Sequence, residues 1–169
     1  LYALAGLNRV DKLSNEASLK YFLLGSLASC IFIYGVSLVY VSFSVLSVYD
    51  FATGVGFVGA DSVPLTTKLG VILIFIGLLF KIAAAPFQSW APDVYQGSPT
   101  GYVGYMASIA KASAFIVIAR LCQVSLRFMP NEFDSFFLFV VILSVVIGSI
   151  FASVQDDLKR LLAYSGVVQ

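Results

Sequence analysis

The 169-residue sequence has no histidine, only two cysteines and only 11% charged residues. Without histidine it lacks the commonest metal ligand and the side chain that ordinarily titrates near neutral pH. Cys30 and Cys122 lie far apart with no CxxC spacing, so neither a disulfide nor a zinc site is expected, and both read as thiols in apolar packing. A net charge of +1 gives no reason to expect nucleic acid or an anionic surface as partner. Charge is absent altogether from Tyr21 to Tyr49 and from Ser135 to Gln155. A soluble domain carries about 25% charge. What fills the chain instead is apolar, 60% of it hydrophobic, and runs of this length cross a ~30 Å hydrocarbon core as helices. The expected fold is all-α: one polytopic transmembrane helix bundle over residues 1–169, with about four full spans and two partial helices.

The four spans are expected at about Asn15 to Phe43, Leu65 to Trp90, Ser98 to Cys122, and Asn131 or Asp134 to Val154. Ser14 is the expected N-cap of the first, which puts Glu16 in the first turn, where a negative charge suits the helix dipole. Ser98 is the expected cap of the third, with Pro99 at the first helical position, where its missing N–H does no harm. Residues 49–61 (YDFATGVGFVGAD) read as a Gly-rich loop, and residues 92–99 (PDVYQGSP) as turn chemistry. The opening LYALAGL is apolar but too short to span, has no charged leader, and reads as the end of a helix. The closing LKRLLAYSGVVQ reads as the start of one. The expectation is a piece of a larger membrane unit.

Basic residues divide unevenly. Arg9, Lys12 and Lys20 precede or open the first span and Lys159 and Arg160 follow the fourth, against Lys68, Arg120 and Arg127 at the other end. By the positive-inside rule, residues 8–20, 91–99 and 155–160 are expected on the cytoplasmic or matrix side.

Two lysines fall inside spans. Lys81 follows the apolar run Leu69 to Phe80, and Lys111 lies midway along residues 100–121. A lysine at mid-membrane costs roughly 2.5–3.5 kcal/mol on insertion scales. Lys111 is about 18 Å along the helix from Pro99, beyond half of the core, which makes snorkelling to a surface the weaker alternative. Its neighbours are small (Ala107, Ser108, Ala110, Ala112, Ser113 and Ala114), as on a face packed against other helices. No acidic residue occurs mid-span, so a partner for Lys111 is expected on another chain or on water. After Lys81 come three alanines and Pro86, which removes a backbone donor and clashes with the carbonyl of Ile82. A broken helix at membrane depth is tolerated inside protein or beside water and recurs at ion sites, although a packed proline kink is the plainer alternative.

A buried lysine can exchange its proton near neutral pH instead of near 10.4. A row of such groups joined by water conducts protons, and a carboxylate moved towards or away from one gates the transfer. Moving one charge against 100 mV takes about 2.3 kcal/mol. The sequence has no nucleotide loop, haem ligand pair or cysteine cluster, so the energy is expected to arrive from other subunits.

Residues 80–100, FKIAAAPFQSWAPDVYQGSPT, closely resemble the FK-x-x-x-x-PFH-x-W-x-PDVY-[QE]-G-[AS]-PT stretch of the antiporter-like membrane subunits of respiratory complex I. EASLKYFLLGSLAS, GVSLVY, SIAKASAF and LKRLLAYS fit the same family. The first stretch is highly specific, and the resemblance covers nearly the whole chain. It implies an antiporter-like bundle with one broken helix, acting as a proton-translocating part of an NADH:ubiquinone reductase. It implies that Lys81 is the central proton carrier, Lys111 the next relay, and Lys159 a further carrier or a structural residue. It implies that Pro86 breaks the helix and that Trp90, Pro92, Asp93, Pro99 and Thr100 shape the following loop. It implies no cofactor on this chain, with NADH, FMN, Fe–S clusters and ubiquinone on other subunits. Its implied partners are lipid and the other membrane subunits, one of which supplies a glutamate for Lys81 and the later helices. The implied location is the mitochondrial inner membrane, or a bacterial plasma membrane. The chain departs from the family pattern in four places: Gln88 replaces the usual His, Asp157 replaces Asn, and Gly166 and Gln169 alter the usual S-S-I-x-H. A cation/proton antiporter or plastid-type subunit, and a non-pumping structural piece, are the alternatives.

Overall fold

The computed structural model describes the chain apart from Leu1, Arg9, Leu46, residues 59–61 and Met129; of residues 55, 56, 58, 124–128 and 130–132 it describes only the backbone. The described residues are helical, without strands: α1 (Tyr2–Ala5), α2 (Lys12–Phe43), α3 (Val48–Val58), α4 (Leu65–Ile82), α5 (Trp90–Gly97), α6 (Thr100–Tyr105), a π-helical turn (Met106–Ala110), α7 (Lys111–Phe128), α8 (Pro130–Ser153) and α9 (Leu158–Val168). Four stretches are long and apolar enough to span a membrane: Lys12–Phe43, Leu65–Ile82, Thr100–Gln123 and Phe133–Ser153.

The first span starts earlier than its Ser14 cap would place it. Asp11 caps α2, its carboxylate accepting from the Leu13 N–H at 3.0 Å. Lys12 and Lys20 therefore lie on the helix, and Glu16 lies beyond its first turn. Ser14 is fully buried within α2 and donates to the Ala5 carbonyl at 3.1 Å, tying α1 to α2. Two expected loops are also helical. Residues 48–58 form α3, held by Phe51 packing edge-on against Phe43 at 5.5 Å, and residues 90–97 form α5. Burial on one side outweighs glycine content in α3 and two prolines' worth of turn signal around α5. Residues 59–61 of the expected loop lie outside the described residues, as does Arg9 of the charge count. Pro99 occupies the cap position of α6 instead of its first turn.

α2 and α4 form the central antiparallel pair. Their backbones touch where Gly35 faces Gly70: a Cβ on Gly35 would lie 2.7 Å from the Gly70 carbonyl oxygen. Close approach through small residues is how spans associate where both lipid and side chains are apolar. One core gathers around Phe75, with Phe133 and Phe137 of α8 edge-on to it at 5.6 and 5.1 Å. A second gathers around Trp90, Val94 and Tyr95 of α5. The outward faces keep large apolar side chains exposed, among them Leu23, Leu27 and Ile33 on α2 and Val141, Ile142 and Ile150 on α8.

Candidate functional site

The second span does not run through to Trp90. α4 stops at Ile82, and Ala83 turns into the left-handed region at φ 60°. That conformation costs an L-residue about 1–2 kcal/mol, so the surroundings must hold it. Reversed hydrogen bonds do part of this: Ala83 N–H donates to the Phe80 carbonyl and Ala84 N–H to the Leu79 carbonyl, each at 3.0 Å. The break falls three residues before Pro86, whose ring would clash with the Ile82 carbonyl if the helix ran on through it. Ala83, Ala84 and Ala85 are all buried, so the small side chains admit close packing at the break.

Two side chains satisfy the backbone groups that the break releases. The buried Trp90 indole donates to the Phe80 carbonyl at 3.1 Å, while its ring stacks on Tyr21 (4.9 Å) and Phe80 (5.5 Å). Ser144, from the middle of α8, accepts from the buried Ala85 N–H at 3.0 Å. Ser144 escaped the sequence reading: Ser135, Ser149 and Ser153 share the uncharged run 135–155, and nothing in the sequence singles it out. Gln88, which replaces a histidine of the resembled pattern, has its side-chain oxygen buried without a hydrogen-bond partner.

Lys81 lies in the last turn of α4, beside the negative end of the helix dipole. Contrary to the expected burial, it is exposed in this chain. Its ammonium lies 3.5 Å from the Tyr2 hydroxyl and 5.9 Å from the centre of that ring. The physical reason is the break itself: the chain turns away at Ala83, and among the described residues the ammonium contacts Tyr2 of α1.

Lys111 is held from within. It opens α7 directly after the π-helical turn, midway along the span Thr100–Gln123, and donates to the Gly166 carbonyl of α9 at 2.6 Å. The expectation of a partner on another chain or on water is corrected: backbone of this chain supplies it. The small residues around it are packed only in part: Ala114 is buried and Ala110 half-buried. Ala107, Ser108, Ala112 and Ser113 are exposed, and the two serines turn back onto their own helix, bonding the Gly104 and Ala110 carbonyls.

Lys111 and Lys159 line one cavity of about 560 Å³, with Thr100, Ser165, Gly166 and Gln169 among the other walls. Lys159, in the first turn of α9, donates to the Ser98 carbonyl at 2.9 Å. Lys81 is not in this lining, so the structure joins two of the three expected lysines and leaves the third at the break.

The segment between the break and α6 is tied down by charge. Asp93 of α5 accepts from Lys20 of α2 at 2.8 Å and from Arg160 of α9 at 2.9 Å. Arg160 also reaches the side-chain oxygens of Gln96 and Gln155, and Gln96 donates to Asp157 at 3.1 Å. Asp157 caps α9, and the Lys159 N–H above all holds its carboxyl below the usual carboxylate range. Trp90, Pro92 and Asp93 thus sit on a helix clamped between α2 and α9. The cluster gathers residues 20, 93 and 160 at one end of the bundle, the grouping the charge count expected. Among the described residues no group of three His, Cys, Asp or Glu side chains is placed to hold a metal.

The whole chain, residues 1–169, matches the family described as NADH:quinone oxidoreductase/Mrp antiporter, transmembrane. NADH-quinone oxidoreductase subunit N of Salinispora arenicola (strain CNS-205) is 42% identical over 175 residues, covering 99% of this chain and 34% of that protein. A chain of respiratory complex I from Thermus thermophilus with bound aureothin superposes with a TM-score of 0.79 at 40% identity, again over 99% of this chain and 34% of its own length. A chain of the membrane-bound sulfane sulfur reductase, an archaeal respiratory membrane complex, superposes at 0.87 with 27% identity and the same coverage. The chain therefore spans about one third of the length of the relatives it matches. With a full-length match in sequence and the same helical architecture, this chain belongs to the NADH:quinone oxidoreductase/Mrp antiporter transmembrane family.

Proposed function

We propose that the chain is part of an antiporter-like subunit that translocates protons in an NADH:quinone oxidoreductase, with Lys81 and Lys111 as the proton carriers. The observation that carries this reading is the seat of Lys111. Its ammonium lies midway along a span, bonded to a neutral carbonyl and beside a cavity shared with Lys159. A carboxylate partner would lock the charge in place, whereas a neutral carbonyl leaves the amine free to give up its proton. Lys159 serves as a further carrier or as an anchor of α9. Pro86, Trp90, Pro92, Asp93, Pro99 and Thr100 shape the break and the clamp, and do not themselves pass protons.

In this reading residues 1–169 act as one transmembrane unit within a larger antiporter-like subunit. The exposed flank of Lys81 is where a further segment or subunit brings a carboxylate. The other membrane subunits and lipid cover the remaining apolar faces. NADH, FMN, Fe–S clusters and ubiquinone belong to other subunits, which supply the redox energy. The membrane is the mitochondrial inner membrane or a bacterial plasma membrane. The family description, which names the Mrp antiporter beside the oxidoreductase, supports a second reading, a cation/proton exchange subunit of the same superfamily.

The test is Lys81→Met in the assembled complex, with protons moved per NADH oxidised measured in membrane vesicles. The proposal expects a large fall with assembly intact. Unchanged translocation refutes it and favours a structural role. Proton movement that follows a sodium gradient and not NADH oxidation favours the second reading.

A further inference from the structure

Gly166 contributes no side chain, yet it makes the shortest polar contact of the candidate path, its carbonyl accepting from the Lys111 ammonium at 2.6 Å. A Cβ placed on Gly166 would lie 2.7 Å from that nitrogen and 3.9 Å from the adjoining carbon, with no other described group beyond its own helix within 4 Å. The space beside this glycine is therefore shaped by one neighbour, the Lys111 side chain. A lysine tip is flexible, so an added methyl would displace the ammonium and leave the helices where they are. Gly166 also stands where two cavities adjoin. It lines the ~560 Å³ cavity containing Lys111 and Lys159. It lines as well an apolar cavity of about 180 Å³ whose walls include Ile82 and Ala84 at the break in α4 and Ser144 of α8, which bonds to that break.

We propose that Gly166 is a positioning residue for proton transfer: its bare backbone seats the Lys111 ammonium at the junction between the cavity behind the break and the cavity containing Lys159. The proposal rests on the reading of Lys111 as a proton carrier and adds what fixes that carrier in place. A hydrogen bond to a charged group stabilises it enough to change its proton affinity about tenfold or more. Loss of the seat therefore alters both where the proton is held and how readily it leaves.

Two substitutions separate seating from size. Gly166→Ala fills the space and offers no acceptor. Gly166→Ser is larger but places a hydroxyl, an acceptor, where the carbonyl was blocked. Both are made in the complete membrane complex, alone and with Lys111→Met, and protons moved per NADH oxidised are measured across pH in vesicles. The expected result has three parts. Gly166→Ala assembles, loses most translocation and shifts the pH profile by about one unit or more. Gly166→Ser restores much of the loss. Neither adds to the defect of Lys111→Met. The proposal is overturned if Gly166→Ala translocates with the native pH profile, if Ser is as damaging as Ala, or if Ala prevents assembly, which would make the site one of packing. Full translocation by Lys111→Met instead removes the parent reading, and this proposal with it.

Discussion

Ser144→Ala tests whether the break in α4 is held by its surroundings. Ala85 is fully buried, and the Ser144 hydroxyl accepts its N–H at 3.0 Å. Removing that oxygen leaves a donor without a partner in an apolar setting. The penalty for a buried unsatisfied group is about 1–3 kcal/mol. The volume lost is a single oxygen, so a cavity term adds little. Local opening of residues 83–91 should become easier by the same amount, which is about 5- to 150-fold in the opening equilibrium. Hydrogen–deuterium exchange of a peptide covering 83–91, in the intact complex, reads this directly. Ser144→Thr keeps the hydroxyl and should exchange close to the native rate. Equal exchange in native and Ser144→Ala protein would refute the reasoning, because the break would then be fixed by Pro86 and the alanines alone.

Trp90→Phe keeps most of the stacking on Tyr21 and Phe80 but removes one of two donors to the Phe80 carbonyl, the other being the Ala83 N–H. A cost near 1 kcal/mol is expected in thermal unfolding of the complex, against about 3–5 kcal/mol for Trp90→Ala, which loses the ring. Asp93→Asn should loosen α5 by about 1 kcal/mol or less, because its partners are partly exposed, and the difference should shrink as salt is raised; protease sensitivity of residues 90–99 follows it. Asp157 has its carboxyl held below the usual value by the N–H groups it caps. Its contribution is present in full above the unfolded carboxylate pKa and is lost as pH falls through the lower folded value. Asp157→Asn should therefore be less stable than native near neutral pH, converge with it as pH falls through the folded value, and lack the acid-side dependence, measured as unfolding midpoint against pH.

The class of the fold was legible because hydrophobic run length alone separates spans from soluble helices: all four spans were expected near where they lie. The ends were less legible. Ser14 and Asp11 are both good caps, and sequence cannot tell which one a tertiary contact will claim; Ser14 is taken by the Ala5 carbonyl. α3 and α5 were read as loops because their glycines and prolines carry turn signals, while the burial that keeps them helical comes from Phe43, Tyr21 and α9, distant in sequence. Lys81 and Lys111 were found by their cost in a membrane. Their partners were not: Gly166 stood out only as a departure from the usual S-S-I-x-H, and the backbone carbonyl through which it acts is one that every residue carries. Ser144 and the Lys20–Asp93–Arg160 cluster join residues 59 to 73 positions apart in sequence, which only the fold brings together.

The central claim is that the mid-span lysine at 111 carries protons through this chain. Its most direct test is Lys111→Met in the assembled complex, with NADH oxidation in uncoupled membranes and protons moved per NADH in sealed vesicles measured on the same preparation. The account predicts that assembly and a substantial uncoupled oxidation rate survive while protons moved per NADH fall. A native ratio of protons to NADH in that variant would contradict it.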